Sequence, residues 1–148
     1  MVGTRNMNKA LTIFVDSDAF VAITKKDDSN HERAKDIFLK LQDKPVAFVT
    51  SNYVFSEVAT VLSQKVDHET AVAYIHTMKS QDCVFIVERI TENTEEAATQ
   101  IFIKQTSKNV SFVDCTNIAL IREKHIDGIF SFDDDYKKNG IELIENLL

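Results

Sequence analysis

The sequence predicts an α/β protein with three layers, α/β/α, around a mostly parallel sheet of four or five strands. Two observations support this fold class. Short apolar runs rich in β-branched residues have the length of buried strands, and they lie at 10–15, 46–50, 83–87, 128–132 and 141–144. Longer segments with apolar residues at helical spacing separate the first four of these runs. Strands that alternate with helices are typical of a parallel sheet covered by helices.

The helices are predicted from their apolar faces and from the polar residues that precede them. The helical segments lie at 19–24, 31–42, 51–64, 68–80, 95–107 and 111–125. Residues with a preference for helix N-caps are Asp16, Ser17 or Asp18 for the first, Ser29 or Asn30 for the second, Asp67 for the fourth and Thr94 for the fifth. Pro45 introduces the second strand, because proline ends a preceding helix.

Composition predicts the domain organisation. The 148 residues are 44% hydrophobic and 27% charged, which predicts a single domain over 1–148 with residues 1–8 as a loose N-terminal tail. No apolar run has the length of a membrane span, and Cys83 and Cys115 lack the spacing of a metal site. We therefore expect a cytoplasmic protein with reduced cysteines and no membrane partner. The net charge of −6 argues against a broad basic surface for nucleic acid, although a local one remains compatible with it.

Four acidic residues stand at positions where a carboxylate is costly. Asp16 follows the first predicted strand and Asp133 follows the fourth, whereas Glu57 and Asp114 lie in helical segments with apolar neighbours. The carboxyl ends of parallel strands meet at one edge of a sheet, so Asp16 and Asp133 are expected at that edge. A buried, unpaired carboxylate stays neutral or finds a partner, and hard divalent cations bind oxygen ligands. A cation site would explain the positions of the four acids. The alternative is that Asp16 and Asp114 are helix caps and that Glu57 is a surface acid.

Four segments carry a family resemblance. IFVDSDAFVAI, TSNYVFSEVATVL, SFVDCTNIALI and IFSFDDDYKK resemble, in this order, the four acidic motifs of PIN-domain ribonucleases, and in particular of VapC-type toxins from toxin–antitoxin pairs. The resemblance covers nearly the whole chain and implies a PIN-like fold. The residues that it implies as catalytic and metal-binding are Asp16, Glu57, Asp114 and Asp133, with Ser17 and Ser131 in supporting positions.

The same resemblance implies a metal-dependent endoribonuclease that hydrolyses RNA phosphodiester bonds. The implied cofactor is Mg²⁺ or Mn²⁺, with Asp16 and Asp114 as central ligands and Asp134 as the alternative to Asp133 for the last one. A bound cation lowers the pKa of a water and stabilises the leaving oxygen. The implied partners are the RNA substrate, a second copy in a homodimer and a small antitoxin protein.

Basic and aromatic residues near the motifs are candidates for RNA contacts. The basic candidates for phosphate contacts are Lys25, Lys26, Lys137 and Lys138. The aromatic candidates for base stacking are Phe20, Tyr53 and Tyr136, with core packing as the alternative for Phe20. No catalytic histidine is expected, because neither a triad order nor metal spacing links His31, His68, His76 and His125.

Two other functions stay open at this point. A strand followed by Asp16 and Asp18 also fits a haloacid-dehalogenase-type phosphatase, with Asp16 as the nucleophile and Asp18 as the general acid. That mechanism gives Glu57 and Asp114 no role. The second alternative is a degenerate PIN domain that acts as a non-catalytic binding module, although the presence of all four acids argues against it.

Overall fold

The computed structural model describes residues 10–148, and its centre is a four-stranded parallel sheet. The strands are β1 Leu11–Val15, β2 Val46–Ser51, β3 Phe85–Glu88 and β4 Gly128–Phe130, in the order β3-β2-β1-β4. This confirms the predicted α/β class with its parallel sheet. The prediction of a loose tail at residues 1–8 lies outside the described residues.

Seven α-helices and a short 3₁₀ helix surround the sheet in the described part of the chain. They are α1 Ser17–Thr24, α2 His31–Gln42, α3 Asn52–Lys65, α4 His68–Lys79, α5 Glu92–Lys104, α6 Phe112–Lys124, α7 Asp135–Lys138 and the 3₁₀ helix Ile144–Leu147. None of the helices between residues 10 and 148 is long and apolar enough to cross a membrane.

The central strand β1 is covered on both faces. Its residues Ile13, Phe14 and Val15 are almost fully buried although consecutive side chains point to opposite faces of the sheet. β1 pairs in parallel with β2 on one side and with β4 on the other. The carboxyl ends of β1 and β4 therefore lie side by side, because Val15 is in register with Phe130.

Most predicted helix starts agree with the structure. Asp16 caps α1 by accepting a hydrogen bond from Ser17 N at 2.7 Å, and Asp67 caps α4 through Thr70 N at 2.7 Å. Asn30 precedes α2, but its side chain makes no capping hydrogen bond. The predicted cap Thr94 is wrong: Thr91 is the N-cap, and Thr94 lies in the first turn of α5, where its backbone N–H donates to the Thr91 hydroxyl at 3.3 Å.

The predicted strand boundaries need three corrections. β3 begins at Phe85 rather than at residue 83, and β4 ends at Phe130 rather than at residue 132. The predicted fifth strand at 141–144 is wrong, since only Leu143 forms a bridge, to Ile129, before the chain turns into the 3₁₀ helix. This segment approaches β4 closely at Gly128, where a Cβ would lie 2.9 Å from the Glu142 carbonyl oxygen. The two backbones can therefore meet there only because residue 128 is glycine.

Candidate active site

The four acidic segments converge at the carboxyl edge of the sheet. Asp16 directly follows β1, and Asp133 lies three residues beyond β4. Glu57 lies on α3, the helix that begins where β2 ends, and Asp114 lies in the first turn of α6. Asp16 and Asp133 are 117 residues apart in sequence. The parallel topology nevertheless brings them to the same edge of the sheet.

Asp16 is the most buried of these acids, with 5% of its surface exposed. Its Oδ1 accepts hydrogen bonds from Ser17 N at 2.7 Å and from Asn117 Nδ2 at 3.1 Å, and its Oδ2 accepts one from the Tyr136 hydroxyl at 2.6 Å. Burial raises the pKa of Asp16 to about 8, and repulsion from Asp18 adds to the rise. Hydrogen bonds from Tyr136 and Ser17 oppose this pKa shift without cancelling it.

Asp114 is held next to Asp16 by two sets of contacts. Its Oδ2 accepts from Ser111 N at 2.9 Å while its own N–H donates to the Ser111 hydroxyl at 3.0 Å, which is a capping box at the start of α6. Its Oδ1 lies 3.0 Å from the hydroxyl of Tyr136, the group that also contacts Asp16. Asp16 and Asp114, which we call the acid pair, therefore meet at one hydroxyl group.

Asp18 connects α1 to the segment that carries Asp133. Asp18 Oδ2 accepts hydrogen bonds from the Ser131 hydroxyl at 3.0 Å and from Phe132 N at 2.8 Å. The Ser131 hydroxyl in turn accepts from Asp133 N at 3.2 Å. Burial raises the pKa of both Asp18 and Asp133. Asp134, the alternative last ligand, is exposed.

The contacts of Asp18 give a testable difference between two substitutions. Asp18→Asn keeps an acceptor oxygen for Ser131 and Phe132, whereas Asp18→Ala leaves both donors without one. Both substitutions remove the charge, so the comparison isolates the hydrogen bonds. We expect Asp18→Ala to be less stable than Asp18→Asn by about 1–3 kcal/mol in urea unfolding without divalent cations. Equal stability of the two variants would show that these hydrogen bonds do not hold the segment.

Glu57 completes the group from the open side of the edge. Glu57 is exposed on α3, and partial desolvation of its carboxylate together with repulsion from Asp114 raises its pKa. The neighbouring Ser17 hydroxyl lowers the pKa of Glu57 again in part. Ser17 thus lies next to two of the acids, since its backbone N–H also donates to Asp16.

The chemistry of these donors fits a hard divalent cation. Within residues 10–148, no three His, Cys, Asp or Glu side chains stand close enough together to enclose a metal ion. Mg²⁺ does not require such a cage, because it binds one or two carboxylates and keeps waters or substrate phosphates as its other ligands. Asp16 and Asp114 each lie within 3.0 Å of the Tyr136 hydroxyl oxygen, so two carboxylates stand side by side, and this donor set suits such an ion.

Two residues of this site were not recognised from the sequence as part of it. Asn117 is fully buried in α6, one turn after Asp114, and donates to Asp16 and to the Tyr136 hydroxyl. Tyr136 was a candidate for base stacking, but this prediction is wrong because only 1% of its surface is exposed. The available signal for Asn117 was its position directly before the apolar run 118–121, three residues after Asp114.

The other RNA-contact candidates differ in their surroundings. Phe20 is buried and packs on Phe85 with ring centroids 5.0 Å apart, which supports core packing. Tyr53 is partly exposed and donates its hydroxyl to Glu95. Lys25 pairs with Asp27 at 2.7 Å and Lys138 with Asp135 at 3.2 Å, while Lys26 and Lys137 are exposed.

Comparison with known proteins identifies the family. The model of the PIN domain matches residues 13–142. The chain belongs to the PIN-domain family. This PIN domain is 34% identical over 128 residues to the 23S rRNA-specific endonuclease VapC20 of Mycobacterium tuberculosis, from each of two strains, covering 86% of the chain and 94% of the relative. It also superposes on the crystal structure of M. tuberculosis VapC20, described as a sarcin–ricin loop cleaving toxin, with a TM-score of 0.78 and 32% identity over 88% of this chain and 96% of that one.

The family assignment decides between the functions that the sequence left open. A haloacid-dehalogenase-type phosphatase is not favoured, because the chain matches a PIN domain over most of its length. The non-catalytic module is not favoured either, because the relative with 34% identity is an endonuclease.

Proposed function

We propose that this PIN domain is an endoribonuclease toxin that hydrolyses RNA phosphodiester bonds with Mg²⁺ or Mn²⁺ as its cofactor. The observation that carries the proposal is the acid pair, which is held at one hydroxyl group at the carboxyl edge of the sheet. The similarity to VapC20 supports the reaction class, because that relative is an endonuclease. We propose further that the chain acts as a single PIN domain in the cytoplasm.

The proposed roles of the acids follow from their burial and position. Asp16 and Asp114 would be the central ligands of the cation, and Glu57 and Asp133 would complete the site from the exposed side. When bound, the cation supplies a water of lowered pKa and positive charge for the leaving oxygen. Ser17 orients Asp16 through its backbone N–H. Ser131 orients the Asp133 segment, because it accepts from Asp133 N and donates to Asp18.

For the substrate we propose a loop of ribosomal RNA. This choice rests on VapC20, whose name specifies 23S rRNA and whose structure is described as that of a sarcin–ricin loop cleaving toxin. The proposed contacts to flanking phosphates come from Lys25, Lys26, Lys137 and Lys138, which lie on or next to α1 and α7. These lysines would supply local positive charge in a chain whose net charge is −6.

The proposed protein partners are a second copy of the chain and a small antitoxin. The antitoxin is proposed because the relative is a VapC protein and the four acidic motifs resemble those of VapC-type toxins from toxin–antitoxin pairs. Exposed apolar side chains on α5 and at the start of α6, namely Phe102, Ile103 and Phe112, support a homodimer, since such residues are enriched at interfaces. A measurement of the solution mass with and without a candidate antitoxin tests both partners.

The direct test is RNA cleavage by the purified chain during a titration with Mg²⁺ or Mn²⁺. We expect cleavage of a labelled RNA that contains the sarcin–ricin loop, and loss of cleavage when EDTA removes the cation. An RNA of equal length with a rearranged loop sequence is the substrate control. Cleavage of both RNAs would retain the nuclease and reject the loop as the substrate. Cleavage that persists in EDTA would reject the cofactor.

A further inference from the structure

We infer that Tyr136 is a positioning residue for the acid pair, and that its hydroxyl, oriented by Asn117, keeps Asp16 and Asp114 together for the cation. This inference rests on the proposed function. It concerns a residue outside the four acids. It is supported by three hydrogen-bond contacts of the Tyr136 hydroxyl, to the buried Asn117 and Asp16 and to the half-buried Asp114.

The hydrogen bonds of the Tyr136 hydroxyl are asymmetric. Its oxygen accepts from Asn117 Nδ2 at 2.9 Å, so the hydroxyl proton points toward the acids. Asp16 Oδ2 lies at 2.6 Å and Asp114 Oδ1 at 3.0 Å. A hydroxyl has a single proton to donate, and therefore two carboxylates share one donor. This sharing holds two carboxyl groups within reach of the same oxygen atom.

Asn117 fixes the arrangement from a second direction. Its Nδ2 also donates to Asp16 Oδ1 at 3.1 Å, the oxygen that the Tyr136 hydroxyl does not contact. Asn117 therefore orients one carboxylate oxygen of Asp16, and Tyr136 orients the other. Asn117 has no exposed surface and Tyr136 exposes 1%, so neither side chain has space to turn away.

A comparison with Tyr74 separates positioning from packing. Tyr74 is also buried, yet its hydroxyl has no hydrogen-bond partner in the part of the chain that the structure describes. The ring of Tyr136 fills core space as a phenylalanine would, and its hydroxyl would be costly to bury without partners. In Tyr136 the hydroxyl instead joins two helices to the end of β1 through the acid pair.

The consequence concerns affinity for the cation. Two carboxylates repel each other, and without the shared donor their facing oxygens, Asp16 Oδ2 and Asp114 Oδ1, lose the contact that draws them to one point. Side chains that orient metal ligands typically change metal affinity about 10- to 100-fold when they are removed. We therefore expect Tyr136→Phe to bind Mn²⁺ about 10- to 100-fold more weakly than the wild type. Asn117→Ala, which removes the donor that orients the hydroxyl, is expected to weaken binding in the same direction.

The experiment is isothermal titration of the full EDTA-treated chain with MnCl₂, together with thermal unfolding of the cation-free protein. Tyr74→Phe is the matched control, because it removes a buried tyrosine hydroxyl that makes no hydrogen bond; it should bind Mn²⁺ like the wild type. A residue with only a packing role would change the unfolding temperature of the cation-free protein and leave the Mn²⁺ affinity of the folded protein unchanged.

Tyrosine absorption gives a second measurement without substrate. The chain has three tyrosines and no tryptophan, so difference spectra at wavelengths above the phenylalanine bands report on the tyrosines. Mn²⁺ should change the tyrosine spectrum of the wild type and of Tyr74→Phe, and this change should be absent in Tyr136→Phe. Wild-type Mn²⁺ affinity in Tyr136→Phe would overturn this inference alone. Absence of Mn²⁺ binding by the wild type would overturn the proposed cofactor as well.

Discussion

Asp16→Asn should reduce RNA cleavage by about 100-fold or more, because the substitution removes the most buried carboxylate of the acid pair. An asparagine side chain has one neutral acceptor oxygen where the wild type has a carboxylate. Affinity for Mg²⁺ or Mn²⁺ should fall together with the rate. Cleavage measured at several cation concentrations separates the two effects, since weak binding alone is overcome at high concentration.

The same substitution should leave the cation-free protein at least as stable as the wild type at pH 8. Asparagine is as good an N-cap as aspartate, so the hydrogen bond from Ser17 N can be retained. Its amide can donate to the Tyr136 hydroxyl, which then donates to Asp114. The charge that repels Asp18 and Asp114 is lost, and this relieves a cost of the folded state.

Asp127→Asn is the matched control for Asp16→Asn. Asp127 is also a partly buried acid next to β1, where its Oδ2 accepts from Thr12 N at 2.8 Å. It precedes β4, however, and so lies at the opposite edge of the sheet. We expect this variant to retain cleavage. Full cleavage by Asp16→Asn would remove Asp16 from the mechanism, and a large drop in its unfolding temperature would indicate a purely structural cap.

The position of the acids at one edge of the sheet was predictable from the sequence. It depends on the local pattern of apolar residues and on the rule that the carboxyl ends of parallel strands share an edge. Apolar runs predict strands, and alternating helices make the sheet parallel. Asp16 and Asp133 then fall at the same edge, as the register of Val15 with Phe130 shows. The strand ends were not predictable from the same pattern. β4 stops at Phe130, and beyond it Phe132 N donates to Asp18, a contact between residues that are distant in sequence.

The connection between the acids was not predictable from the sequence. Tyr136 lies in a polar segment, DDDYKK, whose composition is typical of an exposed turn, yet its ring is buried. Only the tertiary fold brings its hydroxyl to Asp16, which is 120 residues away in sequence. Likewise, Thr91 and Thr94 are both good N-caps, and local propensity does not decide between them.

The helix-cap explanation and the cation explanation turned out to be compatible. Asp16 caps α1 and Asp114 takes part in the capping box of α6, and both point at the Tyr136 hydroxyl. Capping fixes where each carboxylate lies, since the backbone N–H groups orient one of its oxygens. The other oxygen is left to face its counterpart in the acid pair. A structural role at a helix start therefore supports the proposed site.

Stability of the cation-free protein should fall as pH rises from 6 to 8. The pKa of Asp16 is about 8 in the folded protein against 3.8 as its ordinary value, so the folded state holds a proton that the unfolded chain has lost. A raised folded-state pKa stabilises at low pH, and the contribution is lost as pH rises through 8. The raised pKa values of Asp18, Glu57 and Asp133 act in the same direction. We expect a loss of about 1–3 kcal/mol in urea unfolding between pH 6 and pH 8.

Two variants and added cation identify the group responsible for this slope, that is, for the fall of unfolding free energy with rising pH. Asp16→Asn should flatten the slope, whereas Asp67→Asn, an exposed N-cap whose pKa is lowered, should leave it unchanged above pH 6 because its own titration lies in the acid range. Mg²⁺ or Mn²⁺ should reverse the slope in the wild type, since a cation binds ionised carboxylates and its affinity rises as protons leave. An undiminished pH dependence in Asp16→Asn, or one that the cation does not change, would contradict a buried Asp16 that exchanges its proton for a metal ion.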